Sequence, residues 1–353
     1  MDDSGVFNIS WLNNLADDIA DLFNNGHEIL IVSSGAIAIG SSTMEFDKKK
    51  AKLPELQAAA ATGQVKLVNS YQEVLGRHDI TVAQILLTPD DTEDKRRFLN
   101  ARRTFNKLID WSTIPVINEN DTVTTEEIRF GDNDRLAARV AQLVMADALI
   151  LLSDVDGLYT SDPLSNSNAK HINEVSLIDE EILQMAGNTQ SKVGTGGMVT
   201  KLQAAGIATR AGCVTIISSG IIDKPLQALR NGNRYTIFHA TDSPAALRKQ
   251  WMAGLLDVQG VLSIDDGAMK ALFSGSSLLP VGVFDISGNF ERGDVVNLES
   301  LSGKIIGRGL VEYSSGEATK LLGIKSDQIE NTIGYQGRSV MVHRDELVLF
   351  CNE

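Results

Sequence analysis

The sequence predicts a three-layer α/β sandwich around a mainly parallel sheet, followed by a small β-barrel-like domain. Two observations support the sandwich: short runs rich in β-branched residues alternate with helical segments, and polar or glycine-rich loops follow those runs. A third observation, closely spaced short strands after Trp251, indicates the second domain. The length of 353 residues agrees with two domains.

The first domain begins with a helix and continues as alternating strands and helices. Apolar residues recur at helical spacing from Ile9 to Asn24, and Asn25-Gly26 is typical of a helix end. The strands are predicted at residues 28–33, 81–87, 114–117, 148–153 and 213–218. Because ligands bind beyond the carboxyl ends of parallel strands, the loops that follow these strands are the candidate site.

The second domain is predicted from strands separated by turns that contain glycine and asparagine. These strands are expected at residues 260–264, 282–287, 294–298, 304–313 and 339–343, with a short helix at 268–273. The predicted domains are therefore residues 1–252 and 259–346.

Composition and charge exclude several classes of protein. A net charge of −14 argues against a chain that mainly coats nucleic acid, because phosphate binding needs a positive field. No apolar run approaches the roughly 20 residues that span a bilayer, and the N-terminus lacks a secretion signal, so we expect a cytoplasmic protein. The two cysteines and five histidines are scattered, so no metal site is expected.

Three loops carry polar or small residues that could form a site. Ser34-Gly35 opens a helix whose N-terminus can attract an anion, although a tight turn explains the same residues. Residues 118–121, Asn-Glu-Asn-Asp, can hold an ammonium group and orient a carboxylate, or can form a solvated turn. In residues 131–134, Gly-Asp-Asn-Asp, the last carboxylate can cap the next helix, orient a lysine or organise a metal–phosphate complex.

The glycine-rich segment 194–201 gives the strongest local signal. Its glycines free the backbone to wrap phosphate oxygens, the next helix directs its N-terminus at them, and Lys201 adds a positive charge. The segment is not a Walker A loop, because the Gly-x-x-x-x-Gly-Lys-Ser/Thr spacing is absent. A flexible surface loop is the alternative interpretation.

Together and in this order, these segments resemble the amino-acid kinase family, and within it the members that act on glutamate and carry a C-terminal PUA domain. The most specific motifs are residues 31–38 (IVSSGAIA), 98–102 (FLNAR), 115–121 (PVINEND), 131–134 (GDND) and 194–201 (GTGGMVTK). Residues 275–280 (GSSLLP) and 288–294 (GNFERGD) carry the resemblance to the PUA domain.

The resemblance implies an acceptor site and a reaction. Ser34, Asp121 and Asn133 would bind L-glutamate, with Gly35 and Asn118 nearby. The reaction would transfer a phosphoryl group from ATP to the side-chain carboxylate, forming γ-glutamyl phosphate and ADP. This is the first step of proline biosynthesis.

The resemblance also implies an ATP site. Lys201 would neutralise charge on the transferring phosphoryl group, Asp134 would orient the lysines of the site, and Mg²⁺ would arrive with ATP. The residues implied in ATP binding are Ser153, Asp154, Thr195, Gly196, Gly197, Met198, Val199, Thr200 and Lys201.

Members of the family begin with a buried strand that ends in Lys-x-Gly-(Ser/Thr)-Ser, and this sequence contains no such segment. We therefore expect the natural protein to be longer, and the chain as written to be poorly stable and nearly inactive. Losing one electrostatic contact lowers a rate by roughly 10²–10³. Losing three or four buried aliphatic side chains costs about 5–12 kcal/mol, which is comparable to the net stability of a domain. Full glutamate kinase activity of a purified chain that starts at Met1 would contradict this expectation.

Two alternatives stay open. The first is a related kinase that acts on acetylglutamate, aspartate, carbamate or a nucleotide. The second is an RNA-binding or regulatory PUA protein with a degenerate kinase domain. Residues 260–346 contain eight Lys and Arg against twelve Asp and Glu, a net charge of −4 that is a poor match for a polyanion. Nucleic acid and membrane partners are therefore not expected.

Regulation and assembly are implied by the resemblance alone. Proline would act as a feedback inhibitor through the glutamate pocket and residues 122–130. The family also implies a homo-oligomer, either a dimer or a tetramer, and the sequence does not specify its interface.

Overall fold

The computed structural model divides the chain into two compact units, Met1–Pro244 and Ala245–Glu353. The described residues are 8–47, 50–123, 133–163, 165–186, 197–244, 246–247 and 258–350, with Lys95 described by its backbone alone. The predicted boundary between residues 252 and 259 falls mostly outside them, so the domains 1–252 and 259–346 stay a prediction. Among the described residues, no helix is long and apolar enough to cross a bilayer.

Unit 1 alternates helices with strands, as the sequence predicts. Its helices are α1 (Ile9–Asn24), α2 (Ala36–Thr43), α3 (Leu53–Gly76), α4 (Pro89–Glu93), α5 (Lys95–Asp110), α6 (Asn133–Val144), α7 (Glu180–Met185), α8 (Met198–Arg210) and α9 (Pro225–Arg230). Its strands are β1 (Ile31–Val32), β2 (Thr81–Leu87), β3 (Thr113–Glu119), β4 (Ala148–Ser153), β5 (Leu158–Tyr159), β6 (His171–Ile172), β7 (Glu174–Val175), β8 (Val214–Ser219) and β9 (Tyr235–Phe238).

The described strands of unit 1 form two main sheets and one hairpin. In the first sheet, β3 lies between β1 and β2 and pairs with both in parallel. The second sheet has the order β4-β8-β9-β7, in which only the β8–β9 pair is antiparallel. Strands β5 and β6 form the antiparallel hairpin. The predicted mainly parallel α/β fold is confirmed, although its described strands form two main sheets rather than one.

Strand β3 shows why helices cover both faces of the first sheet. Ile114 and Val116 belong to a core cluster with residues of α1 and α3. Ile117 belongs to a different cluster, with Phe105 of α5 and Leu143 of α6. Because successive side chains of a strand point to opposite faces, these contacts place helices on both sides and give the three layers.

The two main sheets share their hydrophobic surroundings. Val32 of β1 packs against the core cluster that contains Phe105 of α5 and Leu143 of α6, on one face of the first sheet. It also packs against a third core cluster, which contains residues of α6, α8 and the second sheet. Leu152 of β4 packs against the cluster that contains α1 and α3. The carboxyl ends of β1 and β4 therefore belong to one packed region of unit 1.

Helices α6 and α8 pack together through alanines. The buried alanines in their shared core cluster are Ala137, Ala138 and Ala141 of α6 and Ala204, Ala205 and Ala208 of α8. Side chains this small let two helices approach closely along their length. The packing brings the first turn of α6 beside the first turn of α8.

Helices α2 and α3 touch at two glycines. A Cβ atom at Gly40 would lie 1.9 Å from the Ala59 carbonyl oxygen, and one at Gly63 would lie 1.8 Å from the Ala36 carbonyl oxygen. No side chain larger than hydrogen fits at either position, so the two backbones are in direct contact. This contact fixes the start of α2, which follows Ser34 and Gly35.

We expect Gly63→Ala to destabilise unit 1, because the added methyl group overlaps a backbone atom that cannot rotate away. Overpacking costs typically about 1–3 kcal/mol, and the free energy of unfolding in urea measures it. The matched control is Gly76→Ala at the end of the same helix, where nothing lies within 4 Å of the Cβ position. The control should leave stability unchanged or slightly higher. Equal losses at the two positions would contradict this account of the contact.

Unit 2 is a five-stranded sheet with short helices. Its strands are β10 (Gly260–Ile264), β11 (Val283–Gly288), β12 (Val295–Ser300), β13 (Ile305–Val311) and β14 (Val342–Leu349). Its helices are α10 (Asp266–Phe273), α11 (Ser315–Lys320) and α12 (Ile329–Ile333), with short 3₁₀ turns at Pro280–Gly282 and Ser326–Gln328. The sheet order is β11-β10-β12-β13-β14, and only β10 and β12 pair in parallel.

Unit 2 differs from its prediction near the end of the chain. The last strand is β14 rather than residues 339–343, because Met341 and Val342 are buried where the chain enters the sheet and the pairing continues beyond them. The sequence prediction also missed α11 and α12. A signal for α11 was present, since Ser314 and Glu317 form a capping box in which each side chain accepts the other's backbone N–H.

Candidate active site

The candidate site is built at the carboxyl ends of β1, β3 and β4 and at the starts of α6 and α8. Ser33 follows β1, is buried, and donates its N–H to the Ile117 carbonyl oxygen at 2.9 Å. Ser34 is exposed. Gly35 then caps α2 with a φ of 110°, a left-handed conformation that favours glycine. This turn presents Ser34 outward at the end of the strand.

Three amide side chains, which we call the amide cluster (Gln64, Asn118 and Asn133), join α3, β3 and α6. Asn118 donates from Nδ2 to Gln64 Oε1 at 2.8 Å, and both side chains are buried. Asn133 donates from Nδ2 to Asn118 Oδ1 and to the Ser33 carbonyl oxygen, each at 3.1 Å. Both amide hydrogens of Asn133 are thus engaged. Its Oδ1 accepts no hydrogen bond within the described part of the chain.

Asp121 lies just beyond β3 and has a perturbed pKa. Burial raises the pKa of its carboxyl group to about 6, because an interior position disfavours the charged form. The group is therefore ionised at neutral pH but gains a proton in mildly acidic solution. A cationic ligand group such as an ammonium would favour its ionised form.

A second group, the lysine cluster (Asp134, Thr200 and Lys201), joins α6 to α8. Lys201 Nζ lies 3.1 Å from Asp134 Oδ2, and the two side chains are only 10% and 17% exposed. Thr200 Oγ1 lies 2.8 Å from the same carboxylate oxygen. An ammonium group has three N–H donors, so the bond to Asp134 leaves others for oxygens of a ligand.

The N-terminus of α8 lies beside the lysine cluster and has no side-chain cap among the described residues. Its N-cap is Gly197, in an extended conformation with no side-chain cap, and nothing lies within 4 Å of a Cβ built there. The first-turn N–H groups of Met198 and Val199 have no intrahelical acceptor, as at any helix start. Together with Lys201 this end of the helix fits a phosphate group, which backbone N–H groups and the helix dipole attract. Thr195 and Gly196 lie outside the described residues.

Ser153 and Asp154 form a separate hydrogen-bonded pair at the end of β4. Ser153 ends β4, accepts the Gly220 N–H at its carbonyl oxygen at 2.6 Å, and donates from Oγ to Asp154 Oδ1 at 2.9 Å. Within the described residues, no hydrogen bond joins this pair to residues 197–201. The structure therefore brings Asn133 together with Asn118, and Asp134 with Thr200 and Lys201, but leaves the Ser153–Asp154 pair at a neighbouring strand end.

Sequence reasoning missed two buried side chains behind the site, Gln64 and Tyr71 of α3. Tyr71 OH lies 3.1 Å from Ser33 Oγ, and burial raises the pKa of its hydroxyl group. Gln64 belongs to the amide cluster described above. The available signal was Gly63, since a glycine inside a helical pattern indicates close packing, but nothing in the sequence says which residue its helix meets.

The family comparisons agree with this two-unit architecture. The model of the amino acid kinase family matches residues 1–219, and the model of the PUA domain matches residues 260–333. Fold and site together define a kinase, and the chain belongs to the amino acid kinase family. Within that family it belongs with the glutamate 5-kinases, on the full-length similarities that follow.

The curated relatives are similar over almost the whole chain. The glutamate 5-kinase of Rhodospirillum rubrum is 52% identical over 346 residues, which cover 98% of this chain and 92% of that protein. The glutamate 5-kinase of Bradyrhizobium diazoefficiens is 50% identical over 347 residues, covering 98% and 93%. That of Paramagnetospirillum magneticum is 50% identical over 348 residues, covering 99% and 94%. The resemblance predicted from the motifs is confirmed.

Solved structures of other kinases are more distant. A UMP kinase from Ureaplasma parvum has a TM-score of 0.43 and 15% identity, covering 65% of this chain and 88% of that chain. A carbamate kinase from Giardia lamblia has a TM-score of 0.46 and 18% identity, covering 65% and 89%.

We expect Asp134→Asn to destabilise unit 1, because it leaves the Lys201 ammonium buried without its counter-ion. Breaking a buried pair from one side costs about 3–5 kcal/mol, whereas replacing both charges with neutral groups is far less costly. The double variant Asp134→Asn/Lys201→Met should therefore be more stable than Asp134→Asn alone in urea unfolding. The control is Asp110→Asn at the exposed end of α5. A double variant less stable than the single one would rule out a buried ion pair as the source of the loss.

Proposed function

We propose that this protein transfers a phosphoryl group from ATP to the γ-carboxylate of L-glutamate, producing L-glutamyl 5-phosphate and ADP in the first step of proline biosynthesis. One observation carries the proposal. Asn133 and Asp134 are adjacent in the chain. The first binds the residue that follows β1 and the side chain of Asn118 near the end of β3, while the second binds the start of α8. The similarity of about 50% to glutamate 5-kinases over nearly the full length supports the choice of glutamate.

The proposed acceptor site lies at the Asn133 side. Ser34, Asp121 and Asn133 would bind glutamate, with Gly35 and Asn118 nearby. Asn133 Oδ1 and the Asp121 carboxylate are both hydrogen-bond acceptors at neutral pH, and these suit the α-ammonium group of an amino acid. The exposed hydroxyl of Ser34 is a donor that suits a carboxylate.

The proposed phosphate site lies at the Asp134 side. Lys201 and the first-turn N–H groups of α8 would bind phosphate oxygens, and Asp134 would keep the Lys201 ammonium in place. The wider ATP site would comprise Ser153, Asp154 and residues 195–201. Mg²⁺ would enter with ATP and neutralise phosphate charge. Among the described residues, no group of three or more His, Cys, Asp or Glu side chains is arranged to hold a metal ion.

This arrangement fits the chemistry of a carboxylate nucleophile. A side-chain carboxylate is already ionised at neutral pH, so the protein needs no general base. The barrier arises from bringing one anion up to a triphosphate, and phosphoryl transfer depends mainly on positioning and on positive charge. A lysine, a helix N-terminus and oriented amides supply these, without a histidine or cysteine nucleophile.

The direct test is acceptor specificity. The purified full-length natural protein with Mg²⁺ and ATP should form an acyl phosphate with glutamate, measured as the hydroxamate and as released ADP. Aspartate is one methylene shorter, so its carboxylate would be misplaced by about 1 Å or more from the phosphoryl group, which lowers the rate by about 10²-fold. Acetylglutamate, carbamate and nucleoside monophosphates should be poorer acceptors still. Acetylglutamate outperforming glutamate would overturn the assignment.

We expect kcat/KM for glutamate to fall as the pH drops through about 6, because protonation of Asp121 removes the charge that attracts the ammonium group. The raised pKa places this loss at about pH 6, whereas an ordinary aspartate would stay ionised to about pH 4. At saturating ATP the slope should approach about tenfold per pH unit. Asp121→Asn should have a lower kcat/KM and lack this inflection. Identical pH profiles for the two proteins would show that another group is responsible.

The proposal also covers regulation, assembly and location. Proline would compete at the glutamate site, so millimolar proline should raise the apparent KM for glutamate, and an unchanged rate would remove this element. The protein is proposed to be a cytoplasmic homo-oligomer, a dimer or tetramer, whose mass light scattering can measure.

A further inference from the structure

Gln64 is a buried amide on a helix that contributes none of the proposed ligand-binding residues. It lies in α3 and is 6% exposed, and within the described residues its one hydrogen bond to the site is that from Asn118. It follows Gly63, whose direct contact with the backbone of α2 fixes the position of this part of α3. The position of Gln64 Oε1 is therefore set by backbone packing rather than by a flexible surface.

The direction of every amide in the amide cluster is fixed by two backbone groups. The middle member, Asn118, accepts the Glu119 N–H at Oδ1 at 2.9 Å, so it must turn its Nδ2 toward Gln64. Gln64 must in turn present Oε1. Asn133 Nδ2 donates to the Ser33 carbonyl oxygen, so Asn133 must turn its Oδ1 away from both partners. No member can flip without placing two donors or two acceptors together.

Gln64 also carries a donor that the fold does not use. Within the described part of the chain, Gln64 Nε2 is buried and has no hydrogen-bond partner. Buried donors without partners are rare in native proteins and destabilise the folded state. An apolar side chain of similar size would avoid this loss, so packing alone does not explain a glutamine here. The acceptor Oε1, which restrains Asn118, is the useful part of the side chain.

We infer that Gln64 is a positioning residue for the acceptor substrate. By holding Asn118 Nδ2 it keeps Asn118 Oδ1 on Asn133, and this leaves Asn133 Oδ1 directed at the substrate ammonium group. The inference rests on the proposed function, because it concerns the binding of glutamate at that site. It assigns Gln64 an effect on glutamate binding and none on ATP binding.

The test is Gln64→Met, which keeps the length of the side chain and removes its acceptor. The KM for glutamate should rise about tenfold, the factor expected when the net contribution of one hydrogen bond is lost. The KM for ATP should stay within about twofold of the parent value, because the lysine cluster is untouched. The matched control is Gln72→Met on the exposed side of the same helix, which should change neither KM.

Stability separates this role from a purely structural one. Gln64→Met removes one unpaired donor, Gln64 Nε2, and creates another, Asn118 Nδ2, so the melting temperature should change by no more than about 3 °C. Gln64→Glu keeps an acceptor for Asn118 in either protonation state and should return the KM for glutamate to within about threefold of the parent value. This second variant also serves if the methionine variant folds poorly.

A double-variant cycle identifies the route of the effect. In an Asn133→Ala background the pathway through Asn133 is already broken, so Gln64→Met should raise the KM for glutamate no further. The inference is overturned if the two effects multiply, if both KM values rise together, or if Gln64→Glu is as impaired as Gln64→Met. A full-length natural parent protein that does not phosphorylate glutamate would instead refute the proposed function, and its own assay reports that outcome separately.

Discussion

The first turn of α6 connects the two halves of the candidate site. Asn133 is bonded to the Ser33 carbonyl oxygen and to Asn118, and Asp134 is bonded to Lys201 and Thr200. Adjacent residues of a helix point about 100° apart, so one turn can serve two directions at once. The separation between the proposed acceptor and phosphate sites is therefore set by a single stretch of backbone. Phosphoryl transfer is sensitive to such distances, since small misplacements of reacting groups lower the rate steeply.

The position of that turn depends on close contacts between backbones. Alanines between α6 and α8 hold the lysine cluster together, and glycines between α2 and α3 hold the turn after β1 against the helix that carries Gln64. Interiors packed at this density transmit displacements rather than absorb them. A change of one methyl group at Gly40 or Gly63 would therefore move elements on which the acceptor side depends, although neither glycine faces the site.

The sequence predicts the features that depend on the local order of residues. It does not predict which distant strands or side chains pair. The bounds of α1, β2, β4 and β10 follow directly from periodicity and turn residues, and the loops at the strand ends were identified from their composition. The antiparallel β8–β9 pair was not predicted, since a strand's direction depends on its connection and partner rather than on its own residues. The Gln64–Asn118 bond spans 54 positions, and no local rule connects them. The roles of Thr195 and Gly196 remain predictions.

The two halves of the site differ in chemistry, and the difference suits the proposed reaction. The lysine cluster is ionic, whereas the described residues of the proposed acceptor side are neutral amides, the Ser34 hydroxyl and one carboxylate, Asp121, whose burial raises its pKa. A cation on the acceptor side would bind glutamate tightly but would also neutralise the γ-carboxylate that must attack. In the proposed function, acceptors such as Asn133 Oδ1 and Asp121 would bind the α-ammonium group instead and leave the nucleophile charged. An acetylated nitrogen has one N–H and no charge, so the groups proposed to hold glutamate would discriminate against acetylglutamate. The positive charge would thereby be kept for the phosphoryl group, at Lys201, whose ammonium is bonded to Asp134.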